Sequence, residues 1–134
     1  MEAVIEVTNI GDNWKQWTNA KITVILTSTM DPPMSGTFIT KPEGSLSSAN
    51  PADYYRWTWN ATTKKVSLME RWTGQFDVIL VEISVESLPF KSGSNGNGTL
   101  IAPNKTRKDQ PLTWKLKENR FRAYVNLSST TRSM

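Results

Sequence analysis

The chain has 134 residues, of which 37% are hydrophobic, and its formal net charge is +4. It contains six tryptophans but no cysteine and no histidine. These absences exclude disulfides, an imidazole base, a thiolate nucleophile and an ordinary zinc or iron site. We therefore expect a single domain over residues 1–134 that binds a ligand without changing it and without a metal or other cofactor.

Apolar and polar residues alternate with a period of two through most of the chain, which predicts β-strands. The predicted strands, in chain order, are Glu2–Thr8, Lys21–Ser28, Gly36–Thr40, Asp53–Asn60, Lys65–Trp72, Phe76–Glu86, Gly98–Ala102, Thr113–Lys117 and Arg120–Leu127. Residues Asn60–Lys64 are expected to form a hairpin loop, and the last two strands a hairpin that turns at Glu118 and Asn119. No segment has a helical period with caps, although the sequence allows a helical turn near 50–53.

Eight to nine short strands at regular spacing are typical of an all-β protein. We predict an antiparallel β-sandwich of the jelly-roll or immunoglobulin-like type, because the strands are short and unequal in length. A closed barrel is the alternative. The longest apolar run, Phe76–Glu86, is expected to be a central strand with Ile79, Val81, Ile83 and Val85 on one face.

The polar loop 12–19 is the sharpest candidate for a ligand site, because it contains two tryptophans three residues apart. Sugar rings have apolar C–H faces and hydroxyl edges, so their sites combine flat aromatic side chains with fixed amide and carboxylate groups. We expect Trp14 and Trp17 to stack on sugar rings. We expect Asp12, Asn13 and Gln16 to bond the hydroxyls. The alternative is that a tryptophan closes one end of the core while the polar residues cap turns.

The fourth predicted strand carries three aromatic residues, Tyr55, Trp57 and Trp59, on one face. Such a row is either a stacking platform for an extended polymer or the core face of a half-buried strand. If the row belongs to the core, Tyr54 and Arg56 face outward and become candidate ligand contacts.

Two further tryptophans differ in their settings. Trp72 ends a predicted strand and is a candidate ligand contact, whereas Trp114 alternates with Leu116 and is expected in the core. The predicted ligand-binding residues are thus Asp12, Asn13, Trp14, Gln16, Trp17, Tyr54, Arg56 and Trp72.

Basic residues cluster on the outer face of the predicted terminal hairpin, where Lys115, Lys117, Arg120 and Arg122 lie beside Tyr124. A basic face with an aromatic residue is a candidate site for nucleic acid or an acidic glycan. Charged residues on an edge strand also prevent sheets from aggregating, which is the structural alternative.

The remaining chemistry-bearing groups do not indicate catalysis. The carboxylates at Asp53, Glu70, Asp77 and Glu82 are scattered over predicted strands and do not form the spaced pair of a glycosidase. The segment 91–98 is rich in glycine, asparagine and serine, and we expect it to be a mobile loop. It lacks the lysine and hydroxyl residue of a phosphate-binding loop.

The N-terminal pattern resembles the opening of sandwich-type carbohydrate-binding modules that bind cellulose and chitin. The resemblance rests on the strand and Asn-X-Gly turn of 5–11, on Trp17, and on the alternating strand 22–26. It covers about twenty residues, and Trp17 lies further ahead of the second strand than in that family. The resemblance implies a carbohydrate-binding fold of the sandwich type.

We therefore predict a non-catalytic carbohydrate-binding protein, a lectin or binding module, with a glycan or polysaccharide as its partner. One alternative is a viral or surface structural domain of a coat, spike or fibre, and another is nucleic-acid binding through the basic hairpin. A homo-oligomer is compatible with each of these. The chain opens on a strand pattern, not a signal peptide, which predicts a cytoplasmic protein or an excised domain of a secreted one. No apolar stretch reaches the length of a transmembrane segment.

Overall fold

A computed structural model describes residues 1–11, 21–42, 45–46, 52–71, 76–102 and 108–119 of the chain. These residues form eight antiparallel strands and a 3-10 turn at Ala52–Tyr54, where the sequence allows a helical turn. The strands are β1 (Glu2–Asn9), β2 (Lys21–Thr27), β3 (Ser35–Lys41), β4 (Tyr55–Asn60), β5 (Lys65–Arg71), β6 (Phe76–Ser84), β7 (Asn95–Leu100) and β8 (Gln110–Asn119).

Each strand pairs with the next one along the chain, and β8 pairs with β1, so that the sheet closes into a barrel. The predicted sandwich is therefore wrong, and the alternative, a closed barrel, is confirmed. The two folds share the same local alternation of residues. They differ in the pairing of the first strand with the last, which removes both free edges of the sheet.

The barrel has two ends with different interiors. At one end, which we call the polar end, β1, β3, β5 and β7 finish and β2, β4, β6 and β8 begin. At the other end, the apolar end, the odd-numbered strands begin and the even-numbered strands finish. One face of each strand alternates into a buried core of mostly aliphatic side chains, as in Ala3, Ile5 and Val7 of β1. Hydrophobic burial on this inner face is the main stabilising contribution to the fold.

The tryptophans of β4 and β8 line the interior of the barrel. Trp57 and Trp114 are buried and Trp59 is partly buried against the core, so the aromatic row of β4 is the core face of its strand. Each indole N–H donates a hydrogen bond to a backbone carbonyl that lies beyond the adjacent strand. The polar N–H group that tryptophan brings into the core is therefore hydrogen-bonded. The three bonds run from Trp57 Nε1 to Thr27 O (2.9 Å), from Trp59 Nε1 to Val85 O (3.0 Å) and from Trp114 Nε1 to Ser84 O (3.0 Å).

Strand β6 departs from the predicted face at one residue. Val81, like the inward residues that follow it, is buried, but Ile79 faces outward and is 40% exposed. The register with β5 shifts at this point, because Leu68 pairs with Val81 while Met69 pairs with Ile79. This β-bulge adds one residue to β6 and moves Ile79 to the opposite face from the one that simple alternation predicts.

Strand β8 is longer than predicted. It continues through Glu118 and Asn119, which pair with Val4 and Ala3 of β1, so the predicted hairpin turn at these residues is wrong. The Asn119 side-chain amide also donates to the carbonyl of Phe90 at 3.1 Å. Pairing with a distant strand overrides the turn preference of the local sequence. The second strand of that predicted hairpin, 120–127, lies outside the described residues.

The predicted mobile loop 91–98 is also partly a strand, since β7 begins at Asn95. Gly96 lies opposite Trp114 in the register of β7 and β8. A Cβ atom at Gly96 would lie 2.9 Å from the indole nitrogen. Glycine occupies this position of the strand because the large side chain of Trp114 on the neighbouring strand lies over it.

The hairpin loop Asn60–Lys64 is confirmed. The Asn60 side-chain oxygen accepts hydrogen bonds from the backbone N–H groups of Thr62 (2.8 Å) and Thr63 (3.1 Å), and its backbone carbonyl accepts from Lys64 N at 2.7 Å. Asparagine thereby closes the turn with its own side chain.

We expect Asn60→Ala to lower the free energy of unfolding by about 1 kcal/mol, because both side-chain hydrogen bonds are lost. Equilibrium unfolding in urea measures this change. Asn60→Asp keeps the acceptor oxygens and is expected to retain most of the stability. An equal loss in both variants would contradict this role of the Asn60 oxygen.

Candidate binding site at the polar end of the barrel

The interior of the barrel carries buried polar side chains mainly at the polar end. Four buried polar residues are found in the described part of the chain, and three of them, Asn9, Glu70 and Gln110, are at or next to strand termini at this end. Strands β1 and β8 are neighbours, whereas β5 lies on the opposite side of the closed barrel. The polar groups therefore approach the polar end from two sides.

Asn9 ends β1 and shapes the rim of the barrel. Its side-chain oxygen accepts a hydrogen bond from the backbone N–H of Gly11 at 2.8 Å, while Ile10 N donates to Pro111 O at 3.0 Å. The first bond closes the turn just beyond β1, and the second attaches this segment to the start of β8. Asn9 thus stabilises the first residues of the connection between β1 and β2, which carries the predicted ligand loop.

Gln110 begins β8 and is 5% exposed. Its amide nitrogen donates to the backbone carbonyl of Lys108 at 3.0 Å. Its side-chain oxygen, Oε1, is buried and has no hydrogen-bond partner in the described part of the protein. Leaving a buried acceptor unpaired costs about 1–3 kcal/mol, so such atoms are rare and call for an explanation.

Glu70 places a carboxylate inside the barrel on β5. Val66 and Leu68 precede it on the same inward face and are fully buried, and Glu70 itself is buried. Tyr55 lies opposite it on β4, and the Tyr55 ring contacts that of Phe38 with 5.4 Å between centroids. A buried carboxylate is kept inside a protein only where hydrogen-bond donors are available to it.

Tyr54 lies at the rim of the same end, in the 3-10 turn that precedes β4. The guanidinium of Arg71 lies 4.3 Å from the centre of its ring, and Arg71 also forms an ion pair with Asp53 at 3.5 Å. The cation covers one face of the Tyr54 ring.

Arg56 is the second residue of β4 and lies on the outer wall of the barrel. It faces outward between Thr37 of β3 and Met69 of β5. There it lines an open groove of about 570 Å³ together with threonine, serine and methionine residues. The Arg56 side chain is thus on the outside of the barrel, two residues after Tyr54 in the chain.

The other predicted ligand residues lie outside the described residues; they are Asp12, Asn13, Trp14, Gln16, Trp17 and Trp72. The described residues that flank them do belong to the polar end. Gly11 and Lys21 border the first segment, and Arg71 and Phe76 border the second. Both connections therefore start and finish at the polar end, the first beside Asn9 and Gln110 and the second on the opposite side of the barrel.

Sequence reasoning did not select Asn9, Glu70 and Gln110 as ligand residues. A usable signal is present at Glu70, because a carboxylate occupies the third inward position after Val66 and Leu68 on an alternating strand. Gln110 gives no such signal, since its strand was expected to begin at Thr113. Its side-chain oxygen lies close to Gly11, and only the folded structure brings these two distant parts of the sequence together.

The predicted basic face is only partly described. The ammonium group of Lys115 lies 3.5 Å from the Glu6 carboxylate, which also contacts Lys21 at 3.7 Å, and Lys117 is exposed. Arg120, Arg122 and Tyr124 lie outside the described residues. Glu6 thus offsets part of the positive charge on this surface.

Within the described ranges, no group of three or more acidic residues is placed to hold a metal ion. In the same ranges, no helix is both long and apolar enough to cross a membrane. Comparison with known proteins identifies no relative, since no family model, no curated protein and no solved structure matches the chain.

Proposed function

We propose that the chain is a non-catalytic carbohydrate-binding protein whose ligand binds at the polar end of the barrel. The observation that supports this most directly is the buried Gln110 oxygen, which has no hydrogen-bond partner among the described residues. A ligand hydroxyl that donates to this oxygen removes an unfavourable contribution of about 1–3 kcal/mol. Binding is thereby favoured over the empty state.

The chemistry of the polar end supports a ligand with several hydroxyl groups. Glu70 and Gln110 supply oxygen acceptors inside the barrel. A carbohydrate offers many O–H donors at fixed spacings, together with apolar C–H faces that suit aromatic rings. An eight-stranded barrel can hold one small ligand.

Three tryptophans are proposed as the stacking residues, namely Trp14, Trp17 and Trp72. Their connections join strands at the polar end, where Tyr54 forms part of the rim. The three tryptophans inside the barrel already donate their indole N–H groups to backbone carbonyls. Because the carboxylates at Asp53, Glu70, Asp77 and Glu82 are scattered along the chain and do not form the spaced pair of a glycosidase, we propose that the bound sugar is released unchanged.

The full chain should be titrated with neutral oligosaccharides of glucose, mannose, galactose and N-acetylglucosamine, with calorimetry and tryptophan fluorescence as readouts. For a sugar that binds, Gln110→Met is expected to weaken affinity about tenfold or more, because the acceptor for one ligand hydroxyl is lost. The same variant should keep its free energy of unfolding within about 1 kcal/mol of the parent, since the unpaired oxygen is removed as well.

Arg56→Ala is the matched control, because Arg56 lies on the outer wall and its loss is expected to leave sugar affinity unchanged. Trp14→Ala and Trp17→Ala are each expected to weaken binding. If a glycan array and the titrations show no binding, the proposed function is wrong. If sugars bind but Gln110→Met binds as tightly as the parent, the ligand does not use the polar end as proposed.

A further inference from the structure

The outer wall of the barrel carries an apolar row that crosses three strands. Val4 of β1 pairs with Ile25 of β2, and Ile25 pairs with Ile39 of β3. All three side chains alternate outward; Val4 and Ile25 are partly exposed, and Ile39 is 43% exposed. Outward positions of an antiparallel sheet that faces water are usually polar, so three adjacent aliphatic side chains are a departure from that pattern.

A charged row lies next to the apolar row, one step nearer the polar end. It consists of Glu6, Thr23 and Lys41, which are consecutive partners across the same three strands. The row therefore has a negative charge at the β1 side, a neutral centre and a positive charge at the β3 side. If a second copy of the row is turned end to end, its positive charge faces the negative charge of the first row, and the reverse.

We propose that a second copy of the chain packs on this face, with a two-fold axis that runs along β2 between the two barrels. Such an axis reverses the order of the strands but keeps each row at its own level. Ile25 then meets Ile25 of the second copy, and Val4 meets Ile39. The two apolar rows cover each other along their whole length.

The same operation brings unlike charges together in the neighbouring row. Glu6 faces Lys41 of the second copy, and Lys41 faces Glu6, while the two Thr23 side chains meet at the axis. Glu6 already contacts Lys21 and Lys115 within its own chain, at 3.7 and 3.5 Å. A carboxylate can accept about four hydrogen bonds, so a further cation is compatible with these contacts.

The size of the face predicts a dimer that dissociates on dilution. Three strands span about 10 Å, and the two rows together occupy less than the roughly 800 Å² per partner of a standard interface. Aligned packing of two twisted sheets, about 10 Å apart, accommodates the contact. This surface lies on the outside of β1–β3 and does not depend on the proposed sugar site.

Sedimentation velocity of the full chain over a range of concentrations tests this interface. We expect a reversible monomer–dimer equilibrium, and we expect Ile39→Lys to weaken dimerisation about tenfold or more, because a charge replaces the apolar contact. Ile79→Lys is the matched control: Ile79 is 40% exposed, close to the 43% of Ile39, but lies on β6 across the barrel. It should leave dimerisation unchanged.

A charge reversal provides a second variant at an exposed position. Lys41→Glu places two acidic groups opposite each other and is expected to weaken the dimer, whereas Lys65→Glu on β5 is expected to have no effect. Far-UV circular dichroism confirms that each variant is folded. A parent chain that stays monomeric at high concentration overturns the proposal, as does equal weakening by Ile79→Lys or unchanged dimerisation of folded Ile39→Lys.

Discussion

Trp57→Ala is expected to lower the free energy of unfolding by about 3–5 kcal/mol. Trp57 is fully buried in the barrel, and its indole N–H donates to Thr27 O at 2.9 Å. Alanine removes a large buried side chain and leaves a cavity in the core of the barrel. A loss of this size is a large part of the stability of a domain of this length. Urea unfolding followed by far-UV circular dichroism gives the change.

Trp57→Phe separates the hydrogen bond from the packing. Phenylalanine fills part of the same space but cannot donate to Thr27 O, and we expect it to cost about 1–3 kcal/mol. Trp59→Ala is the second comparison, since Trp59 is only partly buried and should cost less than Trp57→Ala. The proposed role of Trp57 is contradicted if Trp57→Ala is tolerated with a loss below about 1 kcal/mol.

Among the glycines of the described residues, Gly36 is expected to be the most sensitive, and Gly36→Ala should cost about 3 kcal/mol or more. A Cβ atom at Gly36 would overlap the backbone carbonyl oxygen of Thr27 and lie 3.0 Å from the indole nitrogen of Trp57. The overlapping atom belongs to the backbone of β2, so it can move only if the pairing of β2 with β3 is disturbed. Thermal and urea unfolding both report the loss.

Gly93→Ala is the matched control for Gly36→Ala. Gly93 has a φ of 78°, and a Cβ atom there would meet nothing within 4 Å. Its substitution should cost about 1–2 kcal/mol from the backbone conformation alone. If Gly36→Ala proves no more damaging than Gly93→Ala, the close approach of Thr27 O is not a real constraint.

The two halves of the barrel use the same arrangement of glycine, tryptophan and carbonyl. In the first half, Gly36 lies opposite Trp57, whose indole bonds Thr27 O. In the second half, Gly96 lies opposite Trp114, whose indole bonds a carbonyl at the end of β6. A tryptophan ring laid over a glycine compensates for the missing side chain. This arrangement accounts for the core positions of Trp57 and Trp114.

The predicted site could be derived from the sequence only in part. The tryptophan-rich loop is visible as a pattern, and the topology shows that its flanking residues reach the polar end. Gln110 could not be found in this way, because its oxygen is buried by contacts between β8 and the residues after β1. These elements are about a hundred residues apart in the chain. A local pattern holds no information about such a contact.

The period-two alternation by itself determined most strand positions and their inward faces, because neighbouring side chains of a strand always point to opposite sides. The core positions of Trp57 and Trp114 follow from it. Only the tertiary structure decided that β1 pairs with β8, that Ile79 turns outward at a bulge, and that Glu118 and Asn119 continue a strand. These features depend on backbone hydrogen bonds between strands, which are formed by groups common to all residues and therefore leave little trace in the sequence.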